Sequence, residues 1–411
     1  MTGPGRIGHL YFAAAEFGCK TSHKKPAVST IPLKPGLPRR LAALITAKAL
    51  GWRIGAFAGN WLEFPMSFRV LLVRFSSLGD VVHTYPALSD LKRARPDVEI
   101  DWLASEAHLG LAGLHPAVRK AIPAHLEAMK KKRLSDKVTY ARVLREVLKG
   151  KYDLVIDTEG TLKSAAISRL AGAPVAGYGR EHVSEPWASF AYRYRFDLPV
   201  TQHVAVRTRK LFAEALGYGI ENLPLDNGLD ARTLTIQGRT ILAKLRVNRP
   251  PVVILHGSTW STKTWAPERW RAVARLLETR GIPLVIPAGG AAELDAAVSI
   301  SNDIETARVL PPLSMVELAG VIAAARAVAG VDSGLTHLAG ALGKPGVILI
   351  GPADPVRSGP LGKTLRTIVS SHPDAPCFRS TCTLTPGGRC CMDGVGERDV
   401  VRAIEYALAM A

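Results

Sequence analysis

The chain has 411 residues, 53 Lys+Arg against 35 Asp+Glu for a net charge of +18, and 47% hydrophobic residues. At roughly 100–200 residues per domain this means about two domains with material for two cores, which excludes a disordered or fibrous chain. The positive field favours anionic partners, whereas 6% aromatic residues with no interleaved basic stripe argue against single-stranded nucleic acid.

Residues 1–65 differ from the rest, with nine Lys/Arg and two acids, Glu16 and Glu63. A long polar, proline-containing stretch precedes any apolar run, so no secretory signal is read there. No apolar run reaches the roughly 18 residues of a membrane span, since the best candidate, residues 41–64, is broken by Lys48, Arg53 and Asn60. The segment is expected to be a basic, poorly ordered arm or an over-extended start before Met66. Beyond it, the α/β pattern predicts a first domain over 66–235 and a second over 250–411.

Residues 69–75 are a short branched-apolar run suited to a buried parallel strand, and Ser76-Ser-Leu-Gly-Asp80 leads from it into helical spacing over 81–94. Strands follow at 98–103 and 152–157, with a helix over 163–171. Residues 222–248 are polar and variable in pattern, a break that Arg249-Pro-Pro251 ends. The same grammar then restarts: strands at 252–256, 284–287, 327–330 and 347–350 alternate with helices at 268–280, 314–325 and 335–342. Two doubly wound units imply two Rossmann-like domains facing a cleft, with ligands at the carboxyl ends of the strands.

Three strand-end turns carry candidate chemistry. In the first, Ser76, Ser77 and Gly79 allow close backbone approach, and Asp80 is open to two readings, a helix N-cap or a general base. In the second, His256-Gly-Ser258-Thr259 with Lys263 offers hydroxyls, amides and an ammonium for a diphosphate, against the alternative of a solvated loop. Trp265 and Trp270 are expected to pack in a core. In the third, Asp332-Ser333-Gly334-Leu335-Thr-His337 opens a helix whose amides suit a phosphate, with Asp332 a cap or a hydroxyl ligand and His337 a buried helix residue.

The turn at 76–80 is neither a G-x-G-x-x-G fingerprint nor a Walker A loop, and the chain has no H-x-x-x-H, H-E-x-x-H or strand-end Asp-x-Asp, so no cofactor and no catalytic metal is expected. Cys377, Cys382, Cys390 and Cys391 have a C-x4-C-x7-C-C spacing that is no standard zinc knuckle. Lys130, Lys131, Lys132 and Arg133 are a solvated face or an anion-receiving patch.

Taken together, the stretches 76–88, 157–164, 202–209 and 331–338 resemble glycosyltransferase family 9, the heptosyltransferases of lipopolysaccharide core synthesis. The Asp80-Val-Val-His-Thr-Tyr-Pro-Ala-Leu88 form is similar to the family's first branch. The resemblance implies a GT-B fold, an acceptor-binding first domain and a nucleotide-sugar-binding second domain. It implies Asp80 as the general base and Lys263 on the donor diphosphate beside Ser258 and Thr259. Glu293 would meet the ribose, and Asp332, Ser333, Gly334, Leu335 and His337 would hold the heptose and phosphates. Ser77, Gly79, Lys163 and the 130–133 cluster fall on the acceptor side. The implied reaction is inverting transfer from ADP-L-glycero-β-D-manno-heptose to the inner Kdo of Kdo2-lipid A, at the cytoplasmic face of a Gram-negative inner membrane. A family member with another nucleotide-sugar or acceptor, or a non-catalytic protein closing on an anionic ligand, stands as the alternative.

Overall fold

The computed structural model describes residues 68–382 and 390–410. The expectations for the 1–65 arm, and part of the cysteine-containing segment, lie outside the described residues. Twelve strands form two six-stranded sheets among those residues, and every strand pair is parallel.

The first sheet contains β1 (Phe68–Val73), β2 (Val98–Ala104), β3 (Val118–Pro123), β4 (Leu154–Asp157), β5 (Val175–Tyr178) and β6 (Tyr194–Phe196) in the order 3-2-1-4-5-6. The second contains β7 (Val252–Leu255), β8 (Leu284–Ile286), β9 (Ala307–Val309), β10 (Ala327–Val331), β11 (Gly346–Ile350) and β12 (Leu365–Val369) in the order 12-11-10-7-8-9. Numbered from its own first strand, the second sheet has the same order as the first. Each sheet therefore reverses its winding once, between β1 and β4 and between β7 and β10. The loops leaving those strands diverge to opposite faces and open a crevice.

Ten helices of eight residues or more complete the described residues: α1 (Leu78–Ala94), α2 (Leu134–Leu148), α3 (Leu162–Leu170), α4 (Val204–Leu216), α5 (Ala231–Lys244), α6 (Pro267–Glu278), α7 (Ala291–Ser301), α8 (Met315–Ala324), α9 (Gly334–Ala341) and α10 (Glu397–Met410). The central strands are apolar throughout because helices cover both faces: Val70–Val73 of β1 and Val252–Ile254 of β7 are fully buried. Trp265 and Trp270 meet edge-on at 5.0 Å within the second core, where the sequence placed them.

The stretch without a clear pattern contains a helix. Within 222–248, α5 turns a sparse stripe of Leu234, Gly238 and Leu242 inward against α8. The stripe is hard to see because its middle member is a glycine. The contact needs that glycine: a Cβ on Gly238 would sit 1.8 Å from the Gly320 carbonyl oxygen. Asp230 caps the helix by accepting from the Thr233 N–H at 3.0 Å. This helix packs with the second sheet's α8, so the expected domain edge at 235 falls inside it.

Candidate active site

The turn after β1 is built by a residue from the turn after β4. The Glu159 carboxylate accepts from the Phe75 N–H (2.9 Å), the Ser76 N–H (3.2 Å) and the Ser76 hydroxyl (2.9 Å). This contact spans the point where the first sheet reverses. Asp157, at the end of β4, shapes its own turn by accepting from the N–H groups of Glu159 and Gly160 and from the Ser164 and Tyr192 hydroxyls. Burial pushes the Asp157 carboxyl up to about 6, with those donors acting in the opposite direction.

Helix α1 starts at Leu78 with Ser77 as N-cap, so Asp80 is not the cap that its position in the turn offered. It occupies the third helical position, where its Oδ2 accepts from the Ser77 N–H (2.9 Å) and hydroxyl (3.0 Å). The same oxygen lies 2.7 Å from the Arg74 guanidinium. Burial works to raise the Asp80 pKa, but Arg74 and then the Ser77 N–H outweigh it and hold the carboxyl below the usual range. Asp80 is thus an ionised, oriented carboxylate whose hydrogen bonds and ion pair all fall on Oδ2.

The second domain presents two turns from its own reversal point. After β7, residues 256–263 bring Ser258, Thr259 and Lys263 to the cleft. After β10, Asp332 lies 2.7 Å from the Lys263 ammonium through Oδ2 and 2.9 Å from His337 Nε2 through Oδ1. Ser333, not Asp332, is the N-cap of α9, so the cap reading of Asp332 gives way to a buried ion-pair role. Burial opposes ionisation of Asp332, yet the His337 hydrogen bond and the Lys263 charge bring its pKa down to about 2. The Lys263 ammonium also sits 4.8 Å from the Trp260 ring centroid.

The two halves touch at their helix starts. A Cβ on Gly334 would lie 2.7 Å from the Gly79 nitrogen, so α1 and α9 present their N-termini to one cleft. Both helix ends are electropositive and suit an anion. His83 of α1, 3% exposed, fills the junction with both ring nitrogens lacking a hydrogen-bond partner. Its ring centroid is 4.7 Å from His337 and 5.2 Å from His203. Burial and then those two imidazoles keep His83 neutral, well below the ordinary histidine range.

These elements enclose a cavity of about 630 Å³, within the roughly 300–1,000 Å³ of small-ligand sites. Ser77, Gly79 and Asp80 line one wall, while Ser258, Thr259, Lys263, Glu293, Asp332, Ser333, Gly334, Leu335 and His337 line the other. Glu293, in the first turn of α7, accepts from the Gly289 N–H at 2.7 Å. The chain's similarity to known proteins matches this geometry. The family model described as "Glycosyltransferase family 9 (heptosyltransferase)" matches residues 140–387, more than half of the chain. The chain belongs to glycosyltransferase family 9.

Lipopolysaccharide heptosyltransferase 1 of Pseudomonas aeruginosa is 42% identical over 324 residues, covering 77% of this chain and 88% of that protein. Among solved structures, Escherichia coli heptosyltransferase WaaC with ADP aligns with a TM-score of 0.69 and 32% identity, over 83% of this chain and all of that one. The same enzyme with ADP-2-deoxy-2-fluoro heptose gives a TM-score of 0.67 and 32% identity, over 82% of this chain and 99% of that one. As a family 9 member the chain is a glycosyltransferase, and the alternative of a non-catalytic binding protein gives way.

Some candidates are not brought to the cavity. Lys130, Lys131, Lys132 and Arg133 are exposed and follow β3, two strands out from β1, with Lys130 paired to Glu127 at 2.7 Å. Lys163 instead holds its ammonium 5.8 Å from the Phe75 ring centroid. Conversely, Arg74, Glu159 and His83 belong to the site without having been singled out. Arg74 was hidden as the last polar residue of an apolar strand, and Glu159 lies 84 residues from the Phe75 N–H it accepts from. Among the described residues no cluster is arranged to hold a metal ion.

Proposed function

We propose that this glycosyltransferase moves L-glycero-D-manno-heptose, with inversion, from ADP-heptose to a hydroxyl of the inner Kdo of Kdo2-lipid A at a membrane surface. The observation that carries the reading is one cavity with an ionised, oriented carboxylate in the first turn of α1 on one wall and a partly buried lysine beside the N-terminus of α9 on the other. Asp80 accepts the acceptor's hydroxyl proton as that oxygen attacks the anomeric carbon. ADP leaves from the opposite face of the sugar. Lys263 and the amides of Ser333, Gly334 and Leu335 neutralise the charge growing on the departing diphosphate. Asp332 holds Lys263 in position before the donor arrives, and the diphosphate then competes for the ammonium. Ser258 and Thr259 flank the phosphates, and Glu293 sits where a ribose hydroxyl would find an acceptor.

The names of the similar proteins support the donor: WaaC has been solved with ADP and with a fluorinated ADP-heptose. The acceptor reading is supported by relatives named as lipopolysaccharide heptosyltransferases and by the +18 charge, which suits a phosphorylated, carboxylated lipid. The test is Asp80→Asn, which keeps an acceptor oxygen for the Ser77 N–H but loses the base. Turnover should fall about 10²-fold or more while ADP-heptose affinity stays near wild type. Retention of most turnover would show that Asp80 only closes the capping box of α1.

A further inference from the structure

We propose that the rim formed by Leu162, Trp187 and Phe190 docks the enzyme on an anionic lipid bilayer, which brings a membrane-held acceptor to the Asp80 side of the cleft. The inference rests on the lipid acceptor proposed above.

Trp187 is 65% exposed, Phe190 60% and Leu162 52%, an unusual grouping for side chains of this size. The two rings stack at 5.6 Å between centroids, and the Arg180 guanidinium lies 5.7 Å from one and 5.6 Å from the other. The turn that carries them, Pro186–Ala191, is held from beneath. Ala188 and Ser189 are buried, the Ser189 hydroxyl donates to the Pro186 carbonyl at 2.8 Å, and Arg195 Nε donates to the Ser189 carbonyl at 2.8 Å. Its inward residues thus anchor the turn, and its aromatic pair is left facing solvent.

The position links the patch to the chemistry. Glu185, next to this turn, accepts from the Leu162 N–H at 2.8 Å. The adjacent Lys163 reaches over Phe75, whose N–H is held by Glu159 in the turn that leads to Asp80. The patch lies outside the cavity but is joined through Leu162, Lys163 and Phe75 to the turn that carries Asp80. A bilayer is the occupant that fits its chemistry: the tryptophan indole settles at headgroup depth, phenylalanine and leucine enter the acyl boundary, and arginine pairs with anionic headgroups. Arg180 lies against both rings and Arg195 against the turn that carries them, and the exposed cations of these segments, Lys163, Arg180, Arg193 and Arg195, outnumber the exposed Glu181 and Glu185.

The experiment uses the full chain with phosphatidylethanolamine–phosphatidylglycerol vesicles, read by co-sedimentation, and compares the wild type with Trp187→Ser/Phe190→Ser and, separately, Leu162→Ser. Thermal melting checks that each variant folds. The double variant should lose about tenfold or more of its vesicle partitioning, and Leu162→Ser a smaller share. Its apparent KM for acceptor embedded in vesicles should rise similarly, with turnover of a water-soluble, deacylated acceptor unchanged. Equal vesicle binding by the folded double variant would overturn the proposal. An equal loss on the deacylated acceptor would also overturn it, because the rings would then be stacking on sugar. Loss of vesicle binding in a chain whose wild type glycosylates neither acceptor would uphold the docking surface and refute the acceptor assignment instead.

Discussion

Removing Arg74 should raise the pH at which the Asp80 carboxylate titrates. The Arg74 guanidinium lies 2.7 Å from Asp80 Oδ2 and 3.7 Å from Glu159 Oε2, with its side chain 11% exposed against 29% for Asp80. Burial raises the Asp80 pKa and Arg74 is the largest influence lowering it, so Arg74→Met leaves burial opposed mainly by the two Ser77 donors. A cation this close typically lowers a carboxylate by about 1–3 units, and partial solvent exposure favours the lower part of that range. The pKa of Asp80 should accordingly rise in Arg74→Met from its depressed position, because its largest lowering influence is gone.

The sign follows from the base's role. Asp80 works ionised, so kcat/KM is lost as pH falls through its pKa. In Arg74→Met the acid limb of kcat/KM that reports Asp80 should move to higher pH than in the wild type, so the variant loses activity first as pH falls. Arg74→Lys should restore most of the wild-type profile, although a point charge replaces the two-pronged guanidinium. The assay is kcat/KM for the acceptor between about pH 4.5 and 8.5, with folding checked at each pH, because loss of a buried cation costs up to about 3–5 kcal/mol. A uniformly lowered profile with the acid limb unmoved in Arg74→Met would refute the electrostatic account and leave Arg74 as a packing residue.

Lys263→Ala should weaken ADP-heptose use and slow the chemical step together, by about 10²-fold in kcat/KM, because the lost charge matters most as the diphosphate departs. Steady-state kinetics with the donor varied would check it, and a loss confined to the acceptor KM would contradict it. His83→Asn should make stability less sensitive to acid. The folded pKa of His83 lies below its unfolded value, so the unfolded chain takes up the proton first, and this group's contribution is lost as pH falls below about 6.5. By pH 5.5 that loss reaches at most about 1.4 kcal/mol, and urea unfolding at pH 7.5 and 5.5 should show a gap smaller in the variant by up to that amount.

The repeated βαβ units and the three strand-end turns were legible because buried parallel strands are apolar runs and each was followed by glycine or hydroxyl residues. Asp80, Lys263 and the 332–337 loop sit at the two winding reversals for the same reason. What escaped the linear reading depends on contacts across the sheet. Glu159 orders the Phe75–Ser76 backbone only because β1 and β4 are neighbours, and Arg74 reaches Asp80 only once that turn is formed. Asp80 and Asp332 each looked like helix caps, but the serine before Leu78 and the serine after Asp332 take those roles. Helix α5 escaped because its contact face is centred on Gly238, which adds nothing to an apolar pattern. The outward turn of Trp187 and Phe190 follows from the burial of Ala188 and Ser189, which no periodicity of so short a segment discloses.

The central claim is that one cleft joins an Asp80 base to a nucleotide-heptose site. Release of ADP from ADP-heptose, followed with and without Kdo2-lipid A, tests it most directly. The account predicts ADP release that requires the acceptor and yields a heptosylated lipid with inverted anomeric configuration. ADP release at the same rate without acceptor, or transfer from a different nucleotide-sugar in preference to ADP-heptose, would contradict it.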